Sequence, residues 1–159
     1  MIRKITEQDF DFIYGLYMHP EVNRYLLYEP MTTHEFKDIF TDLLLQDIIY
    51  VFEDNEMAAG MFKLIPLTHR TSHAAYLGGL AIHPSFGGKG LGLVMLKEIL
   101  SYAKEKGFLR IELSVMAVNE KAIRLYEKAG FEKEGILRKY SYMKDDNIFL
   151  DEVMMAWLA

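Results

Sequence analysis

Hydrophobic positions along the chain change period several times, and each change predicts an element. Ile2 to Ile5 is too short for a helix and reads as a strand. Thr6, with Asp9 three residues on, forms a helix start, and Phe10, Ile13, Tyr14 and Leu16 then recur at helical spacing up to a stop between Gly15 and His19-Pro20. Thr32-Thr33 with Glu35 opens a second helix, whose apolar face is Phe36, Ile39, Phe40, Leu43 and Leu44 and whose end lies near Gln46. Ile48 to Phe52 and Ala58 to Ile65 are rich in β-branched and aromatic residues. They flank the turn formers Glu53-Asp54-Asn55-Glu56 and predict a hairpin that Pro66 stops. Ser72 to Ile82 reads as a long buried strand in which Gly78-Gly79 marks a bulge or a close backbone approach, and His83-Pro84 ends it.

Glycines crowd residues 87 to 92. Beyond them Leu93, Leu96, Leu100 and Ala103 share one helical face, with Lys97, Glu98, Lys104 and Glu105 opposite and Gly107 as the stop. Leu109 to Val115 predicts a strand, and Asn119 caps a helix carrying Ala122, Ile123, Leu125, Tyr126 and Ala129 that ends at Gly130. Phe131 to Lys139 and Ile148 to Leu158 are the last two strands. With no repeat or linker in between, residues 1–159 are expected to form one mixed α/β domain in the order βααβββαβαββ, seven strands and four helices.

Composition narrows the class of protein. The chain has 159 residues, 51% hydrophobic and 26% charged, with 4 Pro and 11 Gly, which excludes a disordered or collagen-like chain. It has 0 Cys, so there is no disulfide framework, thiol nucleophile or thiolate metal site, and the composition fits a reducing cytoplasm. No apolar run approaches the roughly 20 residues of a membrane span, and Met1-Ile2-Arg3-Lys4 leads into a polar stretch. A soluble cytoplasmic protein with no membrane partner is the expectation. The net charge of -5 argues against a nucleic-acid partner and favours a cationic small molecule or peptide.

The densest chemical signal is Ser85-Phe86-Gly87-Gly88-Lys89-Gly90-Leu91-Gly92, between a buried strand and an amphipathic helix. Residues without Cβ let backbone N–H groups close on an anion, and the unpaired N–H groups of a helix start add partial positive charge, so a phosphate is the natural ligand. A tight strand-to-helix turn is the plainer reading of the same glycines. A Walker loop fails, because Gly90 stands where Ser or Thr must follow Gly88-Lys89. A dinucleotide fingerprint from Gly90 and Gly92 would need a small residue at Met95, and its acidic partner Glu112 lies inside a strand rather than at its end.

With these residues in view the sequence resembles the GCN5-related N-acetyltransferase (GNAT) superfamily. The family's pyrophosphate loop, Gln or Arg, two residues, Gly, one residue, Gly or Ala, is matched at Gly90 and Gly92, while Gly87 departs at its first position and leaves the backbone amides to do that work. Leu80-Ala81-Ile82-His83-Pro84 is similar to the strand end that pairs with pantetheine in the family, and Asn119 to Phe131 resembles its second cofactor segment. The likeness is detailed over roughly residues 72 to 158. The segment Glu134 to Arg138, followed by Asp151 to Met154, is similar to members acting on ribosomal protein N-termini, polyamines or small amines.

The resemblance implies a central twisted, mostly antiparallel sheet and acetyl-CoA as cosubstrate, bound by Leu80, Ala81, Ile82, Gly87, Gly88, Lys89, Gly90, Leu91, Gly92, Asn119 and Tyr126. Its partner would be a primary amine, a peptide or protein N-terminus or a small amine, and it is compatible with a homodimer. Acetyl transfer needs a neutral amine, a stabilised oxyanion and a protonated leaving thiolate. Tyr126 is the candidate acid, since a phenol of pKa about 10 can donate to a thiolate of conjugate pKa about 8.5; its plainer role is a core aromatic. Glu29, His73 and Glu112 are candidate bases. Tyr25, Tyr28 and Glu29 would shape an acceptor slot with a negative end, and Tyr140, Tyr142, Asp145 and Asp146 its opposite wall. His69 and His73 lie in a loop rather than on a helix, so no metal site is assigned. The rival reading is a non-catalytic acyl-CoA-binding sensor or interaction module on the same fold.

Overall fold

Local capping signals decide where the helices begin. In a computed structural model that describes all residues from Met1 to Ala159, the Glu35 amide donates to Thr32 Oγ1 at 3.3 Å and Thr32 N donates to Glu35 Oε2 at 2.8 Å, the reciprocal box that starts α3 (Thr33–Gln46). Helix α1 (Phe10–Met18) runs through Gly15, and a one-turn helix α2 (Pro20–Asn23) follows it. The structure therefore has a fifth helix where the sequence reading has four. Pro20 ends α1 but also occupies the first turn of α2, where a missing N–H costs nothing, and His19 caps it by accepting from Glu21 N.

The strands are β1 (Ile2–Lys4), β2 (Ile49–Asp54), β3 (Met57–Pro66), β4 (Ala74–Ile82), β5 (Arg110–Met116), β6 (Glu132–Met143) and β7 (Ile148–Leu158), with α4 (Leu91–Glu105) and α5 (Glu120–Lys128) between β4 and β6. They form one seven-stranded sheet in the order β1-β2-β3-β4-β5-β7-β6. Pairs β1–β2, β2–β3, β5–β7 and β6–β7 are antiparallel and β4–β5 is parallel, in keeping with the mostly antiparallel sheet expected. β6 continues past its expected end at Lys139. There the backbone turns left-handed and the register with β7 shifts between Leu137 and Ser141, so the strand absorbs the irregularity and goes on.

The chain divides into two compact units, one of residues Met1–Ile65 and Leu77–Glu98, the other of Pro66–Tyr76 and Ile99–Ala159. Strand β4 and helix α4 each begin in one and end in the other. In the first unit α1 and α3 place Ile13, Leu16, Tyr17, Phe36, Phe40 and Leu43 in a core with Ile49, Val51 and Met61 of the hairpin. In the second, alternate positions Ile111, Leu113 and Val115 of β5 and Val153 and Met155 of β7 are buried, the period-2 pattern of a strand with one covered face.

Candidate active site

The glycine loop and the end of β4 lie in the first unit. A 3-10 turn at Pro84–Phe86 leads from the strand, with His83 accepting from Ser85 N and Gly87 N donating to the Pro84 carbonyl. Gly88 and Gly90 then adopt φ of +75° and +73°, and a Cβ on either would meet nothing within 4 Å. These positions are glycine because the backbone is left-handed, not because the loop is crowded, and the space around them stays open. Leu93 and Val94 donate to the Gly90 carbonyl to close the first turn of α4, which leaves the Leu91 and Gly92 N–H groups as orphan donors of a helix start. An open loop with donors and a positive dipole end fits a pyrophosphate. The Lys89 ammonium stands 5.7 Å from the centre of the Phe86 ring and adds a cation beside that loop.

Leu80, Ala81 and Ile82 form the end of β4. They pass close to β3: a Cβ on Gly60 would stand 2.7 Å from the Ala81 carbonyl oxygen and 2.8 Å from Ile82 Cδ1. Just before them Gly79 takes a φ of +55°, so the strand is interrupted by a left-handed residue where the double glycine predicts a bulge.

Asn119 and Tyr126 lie in the second unit, at the start and in the last turns of α5. Asn119 Oδ1 accepts from Ala122 N at 3.3 Å, the capping role its position implies. Tyr126 is buried, with its ring at 5.8 Å and 61° to Phe131. Burial, and next the nearby Tyr76 phenol, push its pKa above the ordinary tyrosine value, so Tyr126 stays protonated at neutral pH. Tyr76 itself hydrogen-bonds Ser114 Oγ at 2.9 Å.

The aromatic residues assigned to the acceptor slot separate in the structure. Tyr25 is 42% exposed beneath the Arg24 guanidinium, and Glu29 is exposed. Tyr28 turns inward, its ring 4.9 Å from Tyr17 and its hydroxyl accepting from Lys63 Nζ at 3.0 Å. The charge buried beside Tyr28 is thus a lysine rather than the glutamate expected. The sequence analysis assigns Lys63 no role; the available signal is a lone charge inside the apolar run Met61-Phe62-Lys63-Leu64-Ile65. Of the other candidate bases, Glu112 is engaged by Arg110 at 3.0 Å, and exposed His73 gives its carbonyl to Leu109 N and Arg110 N. Tyr140 and Tyr142 are exposed on β6, Tyr142 donating to Asn147 Oδ1. No helix is long and apolar enough to cross a membrane.

Residues 10–131 match the Acetyltransferase (GNAT) family. The chain belongs to that family. It is 28% identical to an N-acetyltransferase of Bacillus subtilis, over 94% of this chain and 90% of that one. It is 29% identical to spermidine N(1)-acetyltransferase of Escherichia coli, over 86% and 74% of the two chains. Among solved structures, spermidine N-acetyltransferase from Vibrio cholerae in complex with CoA and spermine superposes with a TM-score of 0.87 at 24% identity, over 99% of this chain and 94% of that one. This GNAT protein is accordingly an acetyltransferase of mixed α/β fold, and the sequence resemblance stands.

Proposed function

We propose that this acetyltransferase moves an acetyl group from acetyl-CoA to a primary amine by direct attack. The observation that carries the reading is the open left-handed loop at Gly88 and Gly90, set at the start of α4 in a chain of this family. Bound acetyl-CoA supplies the acyl group as an activated thioester. The free amides of residues 88–92 bind its phosphates, with Lys89 adding charge. Amides in Leu80–Ile82 donate to the oxygen that gains negative charge during transfer, where fixed donors stabilise the transition state without reorganising. As the C–S bond breaks, Tyr126 Oη, protonated at neutral pH, gives its proton to the departing sulfur, and the proton that the nitrogen loses on forming the amide passes to solvent water, from which the phenol is restored. Relatives named as acting on spermidine and on the alanine of ribosomal protein bS18 support an amine nitrogen as the acceptor atom.

Isothermal titration with acetyl-CoA, paired with a thiol-release assay over N-terminal peptides, polyamines, amino acids and aminoglycosides, tests the reading. Binding together with release on at least one amine is expected. Binding without release on any amine would mark a sensor instead, and no binding would overturn both.

A further inference from the structure

We infer that the acceptor is an amine that also carries a carboxylate, and that Lys63, flanked by Tyr17 and Tyr28, holds that carboxylate. The inference rests on the acetyl-transfer reading of the same site. Lys63 lies in the apolar stretch of β3 and is 8% exposed. Its ammonium has three N–H donors. One goes to the Tyr28 hydroxyl at 3.0 Å, and the Tyr28 and Tyr17 ring centres stand 4.8 and 5.8 Å away. The lysines paired with acids are Lys4 and Lys133; no carboxylate pairs with Lys63.

A second, independent observation points to the same missing group. Tyr17 Oη is buried with no hydrogen-bond partner, and it lies 3.0 Å from where a Cβ on Gly79 would stand. A buried ammonium without a counter-charge and a buried hydroxyl without an acceptor are both unfavourable, and a single oxyanion relieves both. Burial also holds the Tyr17 phenol in its protonated form, as a donor. Gly79, half-exposed and left-handed, directly precedes the Leu80–Ile82 segment assigned to the thioester carbonyl, so an anion held here belongs to a small molecule reacting beside that segment. A Cβ at residue 79 would crowd Tyr17 Oη and reach the Lys63 stem at Cγ, 3.6 Å away, so a side chain there would press on the hydroxyl. A polyamine would bring a further cation against the buried ammonium, which like-charge repulsion disfavours. An amino acid brings the amine and the compensating carboxylate together, and N⁺–H···O⁻ bonds are the stronger kind.

The experiment compares the twenty α-amino acids and two ω-amino acids with their amides, and with spermidine, in the thiol-release assay. It adds titration of the same compounds into CoA-loaded protein, wild type and Lys63→Met. The best carboxylate should exceed its amide at least tenfold in kcat/KM and in affinity, and Lys63→Met should bring both ratios to about one with CoA affinity and circular dichroism unchanged. Tyr17→Phe, which removes a hydroxyl without changing the ring, should reduce the same ratios severalfold. Thiol release that favours amides or spermidine, with Lys63→Met no worse, would overturn the inference and leave acetyl transfer standing. A preference for succinyl-CoA over acetyl-CoA with acids and amides equal would place the anion on the donor and overturn it too. Should no amine turn over, the transfer reading fails, and the titrations still decide the anion site: no carboxylate binding to the CoA-loaded protein overturns it.

Discussion

Gly60 of β3 faces Ala81 of β4 so closely that a single methyl group on Gly60 would stand 2.7 Å from the Ala81 carbonyl oxygen. The site segment of β4 is held in place by the lack of a side chain on its neighbour. Gly60→Ala should force the two strands apart and destabilise the protein by about 1–3 kcal/mol, as overpacking does. It should also reduce kcat by displacing the Leu80–Ile82 amides. Urea unfolding and steady-state kinetics on the same variant check both, and an unchanged midpoint would show that β4 yields freely.

Tyr126→Phe removes the proton donor but keeps the ring that packs on Phe131. Acetyl-CoA affinity should stay within a few-fold while turnover falls by roughly 10²-fold or more, the range general acid catalysis supplies. Normal turnover would make Tyr126 a packing residue.

Much of the fold, and the local backbone geometry of the candidate site, is legible in the sequence because both rest on local rules. Thr32 with Glu35, Asn119 before α5 and the glycines at 88 and 90 each act within a few residues, and the structure places a box, a cap and a left-handed loop there. Helix α2 was missed because Pro20 serves both as a stop and as a first-turn residue. Lys63 was missed for a different reason. Its setting comes from Tyr28, 35 residues away in the loop after α2, and Tyr17 on α1, and no spacing rule in a strand reports that.

Gly90→Val places a β-branched residue at φ +73° in open space, so the effect is on backbone geometry rather than packing. Coenzyme A affinity should drop at least tenfold while the far-ultraviolet circular dichroism spectrum stays that of the wild type. A folded variant with unchanged affinity would contradict the phosphate role of the loop.

Arg3 binds both oxygens of buried Asp9 at 2.8 Å, and this hydrogen bonding, aided by the Thr6 amide, holds the Asp9 carboxyl below its usual pKa. A folded-state pKa that is depressed contributes stability above the unfolded value of about 4 and loses it as pH falls through the folded value. Asp9→Asn should therefore be less stable than wild type at pH 7, with the gap narrowing below about pH 4. Urea midpoints from pH 3 to 7 read this directly, and a gap constant with pH would show that the Asp9 charge contributes nothing.

Amine attack requires the unprotonated amine, so with a saturating donor the rate at a subsaturating acceptor should rise from pH 6 to 8. A flat profile with chemistry rate-limiting, or transfer confined to hydroxyl acceptors, would count against amine acylation.

The most direct measurement is mass spectrometry of a reaction run with acetyl-CoA carrying a deuterated acetyl group. The labelled acetyl should appear on the nitrogen of the best acceptor in a one-to-one ratio with free coenzyme A, and Tyr126→Phe should slow both products together. Coenzyme A release with no labelled amine, or a protein that fails to bind acetyl-CoA at all, would contradict the assignment of this chain as an amine acetyltransferase.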